Sequence, residues 1–220
     1  MRPNIDPSKL VVLDIETIPL DEKALTPALR ELLKQKLDKA LKQNPDVDPE
    51  NEKRKIMSTN PLLGRIVCDC LYMPYDDKEL ALYDSSEKVL LERFWRAIAP
   101  MNGLFVGFNH IRFDVPFIIK RSMINGVKPT NGLFLQYTKY DPYPPHFDVM
   151  INFSGRENYI SLRQACELFN VPSPKEGAIK AEDVAEAYAE GRIKEIADYC
   201  MRDVKATYAI YQKIKEYIVN

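Results

Sequence analysis

The sequence predicts a three-layer α/β domain in which helices cover both faces of a mixed central sheet. Short apolar runs typical of buried strands come early in the chain, and strands and helices alternate after them. The strands expected at 64–74 and 79–84 are joined by a turn short enough for an antiparallel hairpin. Later strands need crossover connections, so the sheet is expected to be mixed. No linker divides the 220 residues, and a single domain over residues 1–220 follows.

Local patterns predict the individual elements. Leucines at 3.6-residue spacing favour a helix over 24–43, and Thr26 followed by Pro27 suits its first turn. Pro45 and Pro49 indicate a polar loop after it. The other predicted strands lie at 10–16, at 103–109 and around 146–150 within an irregular, proline-rich stretch. The other predicted helices lie at 85–100, 114–127, 161–169, 181–190 and 192–218. Residues 21–60 are interpreted as a helical insertion.

Composition limits the class of protein. With 31 basic and 32 acidic residues the net charge is −1, so overall charge indicates no nucleic-acid partner, although an acidic site can mask basic patches elsewhere. No segment resembles a signal peptide or a membrane span, which favours a cytoplasmic protein with no membrane partner. The four cysteines lie in apolar runs without a CxxC pair and are expected to be buried thiols in a reducing cytosol. Cys68 and Cys70 can share a strand face, but the chain has only two histidines, which disfavours a zinc site.

Two acids lie in the first predicted strand. Because side chains alternate along a strand, Asp14 and Glu16 face the same way, about 7 Å apart along the backbone. Carboxylates this close repel each other unless something positive lies between them, and a hard divalent cation is the natural partner. The alternative is a strand that ends in solvent with both acids hydrated.

Three more polar residues lie where they could belong to the same site as Asp14 and Glu16. Asp114 opens the helix that follows the strand at 103–109, either as a ligand or as a helix N-cap. Tyr199 and Asp203 are four residues apart on the last helix, so they share a face about 6 Å apart along the axis. Both border the apolar stripe of this helix, which directs them toward the sheet. Tyr199 by itself is equally compatible with an amphipathic core residue.

Together these positions resemble a known family. D-x-E on the first strand, N-x₃-F-D after a later strand and Y-x₃-D on a C-terminal helix are similar to the three motifs of the DEDD-type, or DnaQ-like, 3′–5′ exonucleases of the ribonuclease H-like superfamily. The similarity covers about residues 8–20 and 62–215, and is greatest to the exonuclease domain of family B DNA polymerases and its stand-alone relatives. The histidine subtype has His five residues before its last Asp, where this chain has Asp198. The tyrosine subtype, DEDDy, is therefore indicated.

The resemblance implies a ribonuclease H-like fold and a metal-dependent 3′–5′ exonuclease. Its substrate would be the 3′ end of single-stranded DNA or RNA, with DNA favoured, and its products 5′-mononucleotides. The implied cofactors are two divalent ions, Mg²⁺ with Mn²⁺ able to substitute. Asp14 would bridge both ions, Glu16 and Asp203 would complete the site of the nucleophile-activating ion, and Asp114 would hold the second ion through water. Tyr199 would orient the attacking water.

Substrate contacts are indicated by weaker signals. The candidates are Thr17, Ile18, Asn109, His110, Arg112 and Phe113. Phe108 and Phe113 could stack on bases, although Phe108 alternates with Val106 in a buried strand and the core is favoured for it. The basic face of helix 24–43 either follows a nucleic-acid backbone or is a solvated outer face. Residues 21–60 could form a lid, a strand clamp or a surface for a protein partner.

Two alternatives remain open from the sequence. One is an exoribonuclease with the same site, because the residues that would recognise a 2′-hydroxyl cannot be identified. The other is a catalytically silent ribonuclease H-like module that binds nucleic acid or protein, although five intact site positions argue against it. No polymerase domain accompanies the motifs, so we expect the protein to act alone or beside other proteins.

Overall fold

The computed structural model describes residues 5–6, 8–137, 145–173 and 179–218. Its five-stranded sheet has the order β3-β2-β1-β4-β5. The strands are β1 (Leu10–Pro19), β2 (Gly64–Met73), β3 (Lys78–Tyr83), β4 (Leu104–Gly107) and β5 (His146–Asp148). β2 is antiparallel to both β1 and β3, whereas β4 is parallel to both β1 and β5. The predicted hairpin and mixed sheet are confirmed.

Helices cover both faces of this sheet. They are α1 (Pro27–Gln43), α2 (Pro49–Ser58), α3 (Glu87–Ile98), α4 (Asp114–Ile124), α5 (Val149–Ser154), α6 (Leu162–Phe169), α7 (Val184–Ala189) and α8 (Ile193–Ile218). On one face, Val12 and Val106 pack in a core with residues of α6, α7 and α8. On the other face, Leu13 and Phe105 pack with residues of α3 and α4. The three-layer α/β architecture is that of the ribonuclease H-like fold.

Two predicted elements need correction. The stretch expected to be a polar loop contains α2, because Asp48 accepts a hydrogen bond from the Asn51 N–H at 2.7 Å and Pro49 occupies the first helical position, where a proline is tolerated. The strand expected at 146–150 ends at Asp148, and α5 begins directly after it. Part of the proline-rich stretch before it, residues 138–144, lies outside the described residues.

Other local predictions are confirmed. Thr26 accepts a hydrogen bond from the Leu29 N–H at 3.3 Å, and Pro27 begins α1. Ser161 and Gln164 form the expected capping box of α6. All four cysteines are buried and unpaired. No helix in the described parts of the chain has both the length and the apolar character needed to cross a membrane.

Candidate active site

The first part of the site is the end of β1. Asp14 and Glu16 lie on the strand face that carries Val12 and is covered by α8, while Leu13 and Ile15 enter the opposite core. Cys200 of α8 packs against this strand, with its Sγ 3.3 Å from the carbonyl oxygen of Asp14 and 3.6 Å from Asp14 Oδ2. Asp14 is half-buried and Glu16 is buried, so the alternative of two hydrated acids does not describe this strand end.

Asp114, at the start of α4, is hydrogen-bonded to the same strand. The pairing of β1 with β4 ends at Val12, so the backbone of Ile15 lies beyond the end of the shared ladder. The N–H of Ile15 donates a hydrogen bond to Asp114 Oδ1 at 3.0 Å. Asp114 is 2% exposed and is the first residue of α4, and the N-cap position belongs to Phe113. The N-cap alternative for Asp114 is therefore wrong, because its carboxylate binds β1 across 99 residues of sequence.

Tyr199 and Asp203 complete the cluster from α8. Tyr199 is 4% exposed, and Asp203, one helical turn further along α8, is close enough for its charge to act on the tyrosine hydroxyl. The negative charges of Asp203, Glu16 and Asp14 all raise the pKa of Tyr199, after the larger effect of burial. Tyr199 is thus both packed in the core and close to the acids, so the two roles considered from the sequence are not exclusive. The structure brings together all five residues of the three motifs.

Burial and neighbouring negative charges raise the pKa values of Asp14, Glu16 and Asp114. For Asp14, burial has the largest effect and the charges of Asp114, Glu16 and Asp203 follow, so its pKa lies well above the ordinary value. Burial and the charge of Asp203 do the same for Glu16. Burial also raises the pKa of Asp114 to about 7. Without a cation, ionisation of this cluster at neutral pH therefore opposes folding.

A pH-dependent stability follows. The folded state holds protons on these acids that the unfolded chain has already released, so their contribution to the stability of the metal-free protein should fall as pH rises from about 4 to about 7. In Asp114→Asn the acceptor for the Ile15 N–H is kept and one charge is removed. In EDTA, the melting temperature of the variant minus that of the wild type should increase by at least about 2 °C between the low and the high end of this pH range. A constant difference would contradict the assignment of a raised pKa to Asp114.

A strained turn holds Asn109 between β4 and α4. Asn109 has a positive φ of 61°, and its N–H donates to Asp148 Oδ1 at 3.0 Å. Asp148 also accepts from the Ile111 N–H, at 3.1 Å. These hydrogen bonds offset the strain of a left-handed non-glycine residue. Asn109 Oδ1 is buried and has no hydrogen-bond partner among the described residues.

The prediction that His110 contacts the substrate is corrected by its position. Its side chain is fully buried, with Nε2 3.2 Å from His146 Nδ1 and Nδ1 3.6 Å from Asp148 Oδ2. Gly107 makes room for this ring, since a Cβ there would lie 2.6 Å from the His110 Cβ. His110 therefore has no surface for substrate, and it supports the turn that presents Asn109.

The other substrate-contact candidates are placed as follows. The Thr17 hydroxyl donates to the Ser58 carbonyl at 2.8 Å, which joins the end of β1 to α2. Ile18 is buried in the core beneath α8. Arg112 is exposed and donates to the Arg156 carbonyl, and Phe113 is half-buried beside Phe117.

Sequence reasoning missed two buried acids. Asp148 anchors the Asn109 turn, and Asp69 lies in β2 opposite Ile15 with neither carboxyl oxygen hydrogen-bonded within the described residues. Burial, followed by the charges of Cys68 and Asp114, raises the pKa of Asp69 well above its ordinary value. Asp69 lies within an apolar strand and Asp148 ends one, which is the same signal that identified Asp14.

The residues present suit hard divalent cations. Asp14, Glu16, Asp114 and Asp203 supply carboxylate oxygens, the ligands preferred by Mg²⁺ and Mn²⁺. Oxygens of Asp14 and Glu16 come within 4.8 Å of each other, near enough for shared coordination. A cation would also remove the repulsion that raises the pKa values of these acids.

The fold is ribonuclease H-like, and a cluster of acids with Tyr199 lies at the end of its first strand. The model of a family described as "Predicted 3'-5' exonuclease related to the exonuclease domain of PolB" matches residues 75–218, and the chain belongs to this family. Membership supports 3′–5′ exonuclease activity. The matched region includes Asp114, Tyr199 and Asp203, whereas Asp14 and Glu16 precede it.

Among solved structures, the chain is similar to the family B DNA polymerase from the hyperthermophilic archaeon Pyrobaculum calidifontis. The match has a TM-score of 0.60 at 16% sequence identity and covers 96% of this chain and 25% of that one. This chain therefore spans about a quarter of the polymerase's length. At this identity the similarity establishes the shared fold.

Proposed function

We propose that this protein is a metal-dependent exonuclease that hydrolyses the terminal phosphodiester bond at the 3′ end of single-stranded nucleic acid, preferentially DNA, and releases 5′-mononucleotides. The observation that carries the proposal is the convergence of Asp14, Glu16, Asp114 and Asp203 with Tyr199. In this cluster burial and the charges of neighbouring acids raise the pKa values of Asp14, Glu16 and Tyr199. Such a cluster is costly for a purely structural role, because nothing in stability alone requires carboxylates to be brought together.

We assign to the residues the roles that the family resemblance implies, and their positions support this assignment. Asp14 is central, since the charges of Asp114, Glu16 and Asp203 all act on it, and it would contribute to both cation sites. Glu16 and Asp203 would hold one cation together, and Asp114 would hold the other through water. Two divalent ions, when bound, supply an activated water and stabilise charge on the attacking and leaving oxygens.

Tyr199 would orient the water. Its raised pKa keeps the hydroxyl protonated at neutral pH, so it acts by hydrogen bonding and not as a base. Asn109 is proposed to contact the terminal nucleotide, supported by its strained backbone and its unsatisfied buried Oδ1. Arg112 and Phe113 at the edge of the same turn are proposed to contact the phosphate and a base.

Residues 21–60 are proposed to be a helical insertion within a single exonuclease domain. Lys36, Lys39 and Lys42 are exposed on α1, which would suit a nucleic-acid backbone, and the same surface could receive a protein partner. The hydrogen bond from Thr17 to Ser58 links this insertion directly to the strand that bears Asp14 and Glu16. A cytoplasmic location is also part of the proposal and is supported by four unpaired thiols.

The proposal is tested with 5′-labelled single-stranded DNA and RNA of matched sequence, in Mg²⁺, Mn²⁺ or EDTA. We expect a ladder that shortens from the 3′ end only when a divalent metal is present, with faster loss of DNA. Faster loss of RNA would instead identify an exoribonuclease. No cleavage of either substrate by folded protein in Mn²⁺ would contradict the exonuclease and favour a binding module.

Tyr199→Phe separates water orientation from metal binding. Removal of the hydroxyl should lower the single-turnover cleavage rate by about a hundredfold, a typical cost of losing one positioned catalytic group. The Mg²⁺ concentration for half-maximal rate should stay within a factor of about two, because a tyrosine hydroxyl is not among the preferred ligands of Mg²⁺. A large change in the Mg²⁺ requirement would show that Tyr199 is misassigned.

A further inference from the structure

Three of the four cysteines meet beside the acidic cluster. Cys68 and Cys70 are two residues apart on β2, opposite Glu16 and Asp14 of β1, and Cys200 reaches the same place from α8. The three sulfur atoms lie within 4.8 Å of one another, and all three side chains are fully buried. The sequence showed only the β2 pair, because Cys200 is brought there by the tertiary structure.

Two distances in this cluster match those of a tetrahedral metal site. With Zn–S bonds of about 2.3 Å, two sulfurs on one tetrahedral zinc ion lie about 3.8 Å apart. Cys68 Sγ and Cys70 Sγ are 3.8 Å apart. A sulfur and a carboxylate oxygen on the same ion would lie about 3.5 Å apart. The separation between Cys200 Sγ and Asp14 Oδ2 is 3.6 Å. The carboxylate of Asp14 lies within 4.8 Å of Cys200 but not of all three sulfurs, so its side chain would turn toward the thiols to complete the site.

We propose that Cys68, Cys70 and Cys200 form a binding site for a thiophilic divalent cation such as Zn²⁺ or Cd²⁺, with Asp14 as the fourth ligand, and that its occupation switches off the exonuclease. The inhibitory part of this proposal rests on the proposed function. Asp14 is the ligand shared by both sites, so a cation held by the thiols withdraws it from the hard cations that catalysis needs.

The chemistry of the donors separates the two sites. Thiolates select soft or borderline metals, whereas the neighbouring carboxylates favour Mg²⁺ and Mn²⁺. Binding converts the coordinating thiols to thiolates, and their protons pass to solvent. The half-buried Asp14 is the member of the acidic cluster that contacts the thiols, through Cys200.

The site is tested first by Cd²⁺ titration of the reduced full-length protein without Mg²⁺, followed by thiolate-to-cadmium charge-transfer absorption in the ultraviolet. We expect one Cd²⁺ per chain. Cys68→Ser should weaken Cd²⁺ binding at least about tenfold, because even outer-shell partners of metal ligands contribute about 10–100-fold. Cys166→Ser is the matched control, since Cys166 is equally buried but lies on α6, outside the thiol cluster. If Cys68→Ser does not fold, Cys70→Ala replaces it as the variant expected to lose Cd²⁺ affinity.

The regulatory part is tested by Cd²⁺ inhibition of the Mg²⁺-dependent nuclease. Wild type and Cys166→Ser should be inhibited at the Cd²⁺ concentrations that saturate the absorption signal, and Cys68→Ser should need at least about tenfold more. Equal inhibition of Cys68→Ser and Cys166→Ser would overturn the switch, because Cd²⁺ would then be acting at the carboxylates alone. A nuclease that is active but shows no charge-transfer signal would overturn the thiol site and leave the proposed function intact. A charge-transfer signal in a protein without nuclease activity would support the thiol site and overturn the proposed function.

Discussion

Asp14→Ala should lose at least about a thousandfold in exonuclease rate, which corresponds to several kcal/mol of charge stabilisation in the transition state. Asp14 is acted on by the charges of the three other acids, so its removal should affect both cation sites at once. The same substitution removes a half-buried carboxylate whose ionisation is unfavourable in the folded protein. In EDTA the variant should therefore melt no lower than the wild type.

The measurement combines single-turnover cleavage of labelled DNA with thermal unfolding in EDTA and in Mg²⁺. Mg²⁺ should raise the melting temperature of the wild type, because a ligand of the folded state stabilises it, and should raise that of Asp14→Ala much less. Asp198→Ala is the control: it removes an exposed acid from α8, one residue before Tyr199, and should leave rate and stability nearly unchanged. Full activity in Asp14→Ala would reject the site.

Arg121→Met should destabilise the fold by about 3–5 kcal/mol, the usual cost of leaving one partner of a buried ion pair unpaired. Arg121 lies on α4 and donates from Nε to both carboxylate oxygens of Glu87, at 2.9 and 3.1 Å. The side chains of Arg121 and Glu87 are only 7% and 6% exposed. Glu87 also accepts from the Ile66 N–H at 2.8 Å and from Asn125 Nδ2 at 2.9 Å. The network joins α3, β2 and α4, the helix that begins with Asp114.

Chemical denaturation checks this prediction. Arg163→Met is the control, because the pair between Arg163 and Glu167 is more than half exposed and such pairs contribute about 0.3–0.5 kcal/mol. A double variant, Glu87→Leu with Arg121→Met, should recover part of the loss, since replacing both buried charges by apolar groups is often close to neutral. Equal losses in Arg121→Met and Arg163→Met would contradict the buried-pair interpretation.

Local structure was largely predictable because its causes are local. The capping box at Ser161, the start of α1 at Thr26 and the apolar stripe of α8 depend on residues within a few positions of each other. The same kind of reasoning is wrong at α2: Pro49 suggests a loop, but a proline at the first helical position is compatible with a helix.

The sequence by itself determined the class of fold, the family resemblance and the five motif positions, because alternation, helical spacing and motif order are all properties of neighbouring residues. Only the tertiary structure decided which polar groups lie in the interior. His110 is buried against His146 and Asp148, and Cys200 joins Cys68 and Cys70, each across a long stretch of sequence. Burial and distance between remote residues depend on how strands and helices pack, and that packing brings thiols to the same carboxylate as the proposed catalytic cations.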